Sequence, residues 1–344
     1  MKRPRRVNRL SSIIWAATAG WVATIPMRPA LPRLLCCWLF ALAALTFASG
    51  PLAAAERAKL PGGVRRVVFV GDSITYGGNY VSAFAGYFAT RYPDLSLEII
   101  NVGLSSETVS GLSEDGHAGG KFPRPDLHER LGRVLAQTKP DLVFACYGMN
   151  DGIYLPFADE RLQKFKDGIA WLHDQVVASG ARIIHVTPPV YDDARGGRPP
   201  GYGAVLGRYA AWLVSQRKDA RWSVVDVHTP MQRALERGRA RDPEFYLSKD
   251  GVHPGEAGHW IMAQEILRHL GARDVSGAQS ATDMVKDFPY GPKVLALVAQ
   301  RHLLMRDAWL TATGHTRPGV KAGLPLATAR AQAAAIDDQL TLMR

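Results

Sequence analysis

Short apolar runs, most of them rich in β-branched residues, alternate along this chain with longer amphipathic ones. No other feature narrows the choice of fold as much. Five runs read as strands, at 67–70, 97–101, 142–147, 182–187 and 223–227. Helical patterns fall at 80–91, 125–138, 158–179, 204–218 and 231–237, with Gly238 expected to end the last, and a further one at 254–270. A run such as Val67-Val68-Phe69-Val70 is apolar on every residue, which suits a strand covered on both faces. Strand–helix alternation therefore predicts an α/β fold with a parallel sheet between two helical layers. With 344 residues, 47% of them hydrophobic, the chain can bury a sizeable core. Collagen-like, disulfide-framework and multi-span membrane classes are excluded.

Residues 272–290 are polar and irregular, and two more helical stretches follow at about 292–310 and 325–343. In the second, Leu326, Ala329, Ala333, Ile336, Leu340 and Met343 form one apolar stripe, expected to pack back onto the main domain. A lid or a dimer contact is the sharper use of the same stripe. Residues 314–319 read as the loop between the two helices. The expected organisation is a leader at 1–55, a main domain at 56–271 and a helical C-terminal extension at 272–344.

The formal charge is +11, but residues 1–55 hold seven basic and no acidic residues. Without those seven the balance is 35 basic to 31 acidic side chains, a net of +4. The basic character belongs largely to the leader, so no nucleic-acid partner is expected. Residues 34–48 are an apolar run of fifteen, preceded by Arg33 and followed by small residues ending in Ala53-Ala54-Ala55. A basic flank, an apolar middle and an Ala-x-Ala end predict an export signal, hence a periplasmic or secreted protein. Met27-Arg28 would begin a signal of ordinary length, which makes Met27 a candidate initiator. The other reading of the segment is an uncleaved membrane anchor. Beyond it Cys146 is the only cysteine, so no internal disulfide is expected. Its apolar surroundings mark it as a buried small hydrophobe.

Four segments carry the chemistry. The first strand runs into Gly71-Asp72-Ser73, the second into Asn101-Val102-Gly103, and the third into Gly148-Met149-Asn150-Asp151. Asp250-Gly251-Val252-His253 follows the fifth. Loops leaving the carboxyl edge of one parallel sheet converge where open α/β folds bind ligands. Ser73 offers a hydroxyl that needs a base, and His253 is a base that titrates near neutral pH. Asp250 can hold one ring nitrogen of His253 and leave the other facing Ser73. Glycine lets the backbone approach a substrate, so the Gly103 N–H is a candidate donor to a developing oxyanion, and the Asn150 amide is another. Taken singly, each has a plainer meaning: Ser73 as a helix cap, Asp250-Gly251 as a turn, His253-Pro254 as a helix start, Asn150 and Asp151 as caps.

Together the four segments resemble the sequence blocks of the SGNH hydrolases, the GDSL-type esterases and lipases, from about residue 64 to residue 270. By this resemblance Ser73 is the nucleophile, Asp250 and His253 complete the triad, and Ser73, Gly103 and Asn150 form the oxyanion hole. It implies a flavodoxin-like three-layer α/β/α domain with a five-stranded parallel sheet, ester hydrolysis through an acyl-serine, and no metal or cofactor. One block departs from the family's pattern: Ser106 stands where glycine is usual and Glu107 where aspartate is usual. The Gly-x-Ser-x-Gly elbow of the α/β-hydrolases is absent around Ser73.

Exported members commonly deacetylate polysaccharides, so the resemblance implies short acyl esters of carbohydrates, with an acetylated glycan as partner. Lysophospholipid or other lipid esters, O-acyl transfer to a glycan, and a non-catalytic glycan-binding module stay open on the same residues. Asp72, Tyr76, Tyr147 and Tyr154 are the candidate substrate-binding residues, with Tyr80 and Phe122 also flanking the site. The remaining histidines are scattered, with no His-Glu-x-x-His and no cysteine pair, so a zinc site is not expected. His117 reads as a loop residue, and Asp192-Asp193 as the start of a surface loop.

Overall fold

A computed structural model describes residues 56–197 and 200–343. The leader, with its proposed signal and Met27, lies outside the described residues. No described helix is long and apolar enough to cross a membrane.

Five strands, β1 (Arg66–Gly71), β2 (Glu98–Asn101), β3 (Leu142–Cys146), β4 (Arg182–Val186) and β5 (Val224–Val225), form one sheet in the order β2-β1-β3-β4-β5. Every pairing is parallel, with Phe69 opposite both Asn101 and Phe144. The crossovers are α2 (Asn79–Arg91) from β1 to β2, α3 (Leu131–Thr138) from β2 to β3, α4 (Asp159–Ala178) and α5 (Tyr202–Asp219). A short helix, α1 (Ser73–Gly77), precedes α2. Because β2 lies to one side of β1 and later strands to the other, right-handed crossovers put α2 on one face and α3, α4 and α5 on the opposite one. The helices α6 (His228–Arg239) and α7 (Glu256–His269) follow β5, and α7 packs against α2. This is the expected five-stranded three-layer α/β/α arrangement.

The apolar strands fill both faces. Phe69 meets Tyr80, Phe84 and Phe144 at ring separations of 5.8, 5.3 and 4.9 Å, all fully buried. Removing one such side chain from water is worth roughly 1.5–3 kcal/mol. Cys146 is buried and its Sγ lies 3.7 Å from Thr187 O, while burial pushes its thiol far above the ordinary range. It packs as a hydrophobe.

Three elements differ from the sequence pattern, each for a local reason. The stretch expected as one helix over 125–138 is split into a single turn at Leu127–Glu129 and then α3. Asp126 caps the turn through its bond from His128 N–H, and Arg130 leaves helical geometry at φ −123°. The helix expected to stop before Gly238 runs through it to Arg239. The irregular stretch 272–290 contains a short helix, α8 (Ala281–Val285), capped by Ser280.

The C-terminal residues form α9 (Gly291–Thr313) and α10 (Leu326–Thr341). Helix α9 packs against α2, β2, α3 and α8, and α10 packs along α9 with Ala329, Ala333 and Ile336 buried. The described residues form one compact unit, and these helices share the core of the sheet domain.

Arg130 breaks the helix because its guanidinium turns inward. Its Nε and Nη2 reach the two Glu107 carboxylate oxygens at 2.6 and 2.7 Å, and Nη2 also donates to Val102 O. Tyr147 donates its hydroxyl to Glu107 Oε2 at 2.6 Å. Arg130 is 1% exposed and Glu107 0%, so removing either partner strands a buried charge. Glu107→Ala is expected to lower stability by about 3–5 kcal/mol in urea denaturation; a loss below about 1 kcal/mol would show the pair to be dispensable.

Candidate active site

The end of β1 places Ser73 first in α1, half-buried, after Asp72 has capped the helix. Asp72 Oδ1 accepts the Ile74 N–H at 2.9 Å, so this aspartate serves the turn. In the loop between α6 and α7, Asp250 Oδ1 accepts the N–H groups of Val252 and His253 at 3.0 and 2.8 Å. That closes a local turn which aims the imidazole. His253 Nδ1 lies 2.6 Å from Asp250 Oδ2, and Nε2 lies 2.8 Å from Ser73 Oγ. The carboxylate is an acceptor only, so Nδ1 carries the proton and Nε2 is left to accept from the serine hydroxyl. Burial works to raise the Asp250 carboxyl, but hydrogen bonds from the His253 ring and from the two backbone N–H groups outweigh it and hold it below its ordinary value. The His253 and Asp250 side chains are about half exposed.

This loop is tied down from behind. Asp192 N–H donates to Gly251 O at 2.9 Å, and Arg239 of α6 holds both Asp192 carboxylate oxygens at 2.7 Å. Asp193 caps α5 by accepting from Gly201 and Tyr202 N–H. Asp192 and Asp193 thus do more than begin a surface loop.

The oxyanion side differs from the sequence reading at one residue. The Gly103 N–H, expected to face substrate, donates to Asn101 Oδ1 at 2.8 Å. Gly103 is needed for another reason: a Cβ there would sit 2.4 Å from Tyr76 N and 2.7 Å from Thr75 C, so only glycine lets the loop after β2 lie against α1. A backbone N–H without an acceptor lies three residues on. Ser106 adopts φ +70°, and its N–H has no acceptor among the described residues, nor has that of Ser73. Arg124 links this loop to Asn150, reaching Ser106 O at 3.5 Å and Asn150 Oδ1 at 2.9 Å. Asn150 Nδ2 donates one hydrogen to Glu107 O at 3.1 Å and keeps the second. In the sequence Ser106 stands out only as a departure from the family's pattern. The signal was the glycine usual at that position, which marks a left-handed backbone.

Residues 69–261, more than half of the chain, match the GDSL-like lipase/acylhydrolase family. The chain belongs to that family. It is an ester-bond hydrolase. An acetylxylan esterase from Geobacillus stearothermophilus is 26% identical over 235 residues, 61% of this chain and 95% of the relative. The crystal structure of that organism's acetylxylan esterase superposes with a TM-score of 0.47 at 26% identity, covering 60% of this chain and 94% of the other. A gut microbial diltiazem-metabolizing enzyme gives 0.47 at 23%, covering 63% and 49%.

Three of the four expected substrate contacts in this hydrolase are structural. Asp72 is 2% exposed and caps α1, and Tyr147 is 1% exposed and bonded to Glu107. Tyr154 is also buried; its hydroxyl donates to Asn150 Oδ1 at 3.3 Å and its ring stacks on Tyr202. Each sits next to the site in sequence but points into the core. Tyr76 is half-buried, under the Arg306 guanidinium at 4.0 Å. Tyr80 is core. His117, in its loop, lies 3.6 Å from Glu114 and meets Phe122 edge-on. Asp151, read as a cap, accepts from Val109 and Ser110 N–H at 2.9 and 2.8 Å and so fixes the segment after Ser106.

Burial raises the Asp72 carboxyl from 3.8 to about 7 and that of Asp151 to about 6. An acid with a raised folded pKa binds its proton more tightly when folded, so its contribution to stability is full below 3.8 and is lost as pH climbs through about 7. Asp72→Asn keeps a capping oxygen and removes this titration. Its stability relative to the parent, from urea midpoints, is expected to be greater at pH 8 than at pH 5. An equal difference at both values would contradict the assignment.

Proposed function

We propose that this hydrolase is an exported serine esterase that removes short acyl groups, acetyl foremost, from carbohydrates. The observation that carries the chemistry is the unbroken line from Asp250 through His253 to Ser73, at 2.6 and 2.8 Å. Ser73 Oγ attacks the ester carbonyl as His253 Nε2 takes its proton. The carbonyl oxygen becomes an oxyanion, met by the N–H groups of Ser73 and Ser106 and the spare Asn150 Nδ2 hydrogen. Collapse of this intermediate passes the proton from His253 to the departing alcohol and leaves an acyl-Ser73. Water, deprotonated by His253, then releases the acid and restores the serine.

Two observations support the substrate class. The relative at 26% identity is an acetylxylan esterase. The histidine and aspartate side chains are also half exposed, and an open site admits a polymer, whereas a long acyl chain needs apolar walls. Export rests on the leader: Arg33, the apolar run 34–48 and Ala53-Ala54-Ala55.

Ser73→Ala is expected to lower kcat on p-nitrophenyl acetate by at least about 10⁴-fold while the folded state keeps its stability. Asn150→Ala is expected to cost about 10²–10³ in kcat. Turnover retained in Ser73→Ala would remove the nucleophile assignment. On nitrophenyl esters of rising length, activity is expected to fall sharply beyond butyrate, with release of acetate from acetylated xylan. A preference for long acyl chains would replace the carbohydrate reading with a lipid one.

A further inference from the structure

We propose that His302, on the C-terminal helix α9, is a positioning residue for the ester reaction: through Asn101 it fixes the loop carrying Ser106 against the turn carrying Ser73. The proposal rests on Ser73 being the nucleophile. Both His302 and α9 lie beyond residue 261, where the family match ends.

Asn101 stands at the end of β2, and its one amide group serves three elements. Nδ2 donates to Thr75 O of α1 at 2.5 Å and to His302 Nε2 at 2.8 Å, while Oδ1 accepts the Gly103 N–H at 2.8 Å. The amide cannot be reversed, since that would set oxygen against Thr75 O and NH₂ against the Gly103 N–H. His302 Nε2 therefore accepts, its proton sits on Nδ1, and Nδ1 donates to Ser82 Oγ of α2 at 2.6 Å. Burial, with the charge of nearby Arg306 adding to it, lowers the His302 pKa to about 3, so the ring is neutral and Nε2 stays an acceptor.

The nucleophile turn is built around this imidazole. Gly78, at φ +72°, ends α1, and a Cβ there would lie 2.5 Å from His302 Cε1 and 2.8 Å from Asn101 Nδ2. One helical turn further along α9, Arg306 donates to Tyr76 O at 2.8 Å and covers the Tyr76 ring. Helix α9 thus grips α1 at two points while holding the side chain that joins α1 to the oxyanion loop. An apolar residue at position 302 would fill the same volume. Thr75 O and the Gly103 N–H set which way the Asn101 amide faces. An acceptor at 302 takes its second Nδ2 hydrogen, which an apolar residue would leave buried and unpaired. Relief of that cost shifts the amide and with it the separation between the Ser73 hydroxyl and the Ser106 N–H. Errors of about 1 Å in such placements cost about 10²-fold in rate.

The test is pre-steady-state acylation of the full chain with p-nitrophenyl acetate, with burst amplitude counting competent sites. His302→Leu is expected to lower the acylation rate per titrated site by about 10–100-fold with KM within about threefold, and His302→Gln, whose amide oxygen can accept from Asn101, to recover most of it. A merely structural role would lower amplitude and leave the rate per site unchanged, and that result overturns the proposal. If His302→Leu does not fold, Ser82→Ala decides: it frees the His302 tautomer without touching the site, and a fall of about threefold or more in rate per site supports the proposal, while the parental rate overturns it. If deacylation outruns acylation and the parent shows no burst, fluorophosphonate labelling of Ser73 counts the competent sites instead, and failure of that labelling in the parent would sink the acyl-serine reading.

Discussion

Glu107 and Arg130 are a charged pair with almost no access to water, and the geometry behind the candidate site depends on them. Desolvating two ions is costly and is offset only when the pairing is close and the remaining polar atoms are satisfied. Here the pairing is two-pronged, Tyr147 adds a third donor to the carboxylate, and Arg130 also takes Val102 O, which leaves only Arg130 Nη1 of the group buried without a partner among the described residues. The backbone oxygen of the same glutamate accepts from Asn150 Nδ2. One residue thereby joins the loop after β2, the end of β3 and the start of α3.

Around that knot the site divides by exposure. The donors proposed for the oxyanion sit on buried or half-buried segments braced by Asp151, Arg124 and Asn101. His253 and Asp250, the proposed base and its carboxylate, sit on an exposed loop, which local bonds to Asp250 and the Asp192–Arg239 pair behind Gly251 hold in shape. Such a division suits acyl transfer, where the oxyanion donors must be fixed before charge develops, while the base must meet both alcohol and water.

The parts legible in the sequence are those encoded locally. The Asp250–His253 contact spans three residues and forms within one turn, so the Asp-x-x-His spacing nearly states its geometry. Parallel order and a two-faced core followed from runs such as Val67-Val68-Phe69-Val70 and from the helices between them. Gly103 was misread because a glycine after a strand suits either close packing or a free N–H, and only its neighbours, Asn101 Oδ1 and the Thr75–Tyr76 backbone, decide. The tyrosines were misread alike: Tyr147 and Tyr154 flank Asn150 in sequence, but residues on a buried strand end and a tight turn point inward as readily as out. Nothing local marked Arg130 as a helix breaker, since its cause is a carboxylate 23 residues earlier.

The sequence by itself determined the strands, the helices and the four segments that could supply a hydroxyl, an imidazole, a carboxylate and an amide, because periodicity and short turns are properties of neighbouring residues. The tertiary structure decided which of these groups touch. Ser73 meets His253 across 180 residues and Asn101 meets His302 across 201. Those separations are bridged only by the order of the strands and the docking of α9. A hydrogen bond is made or lost over a few tenths of an ångström, so it is set by packing that no local pattern records.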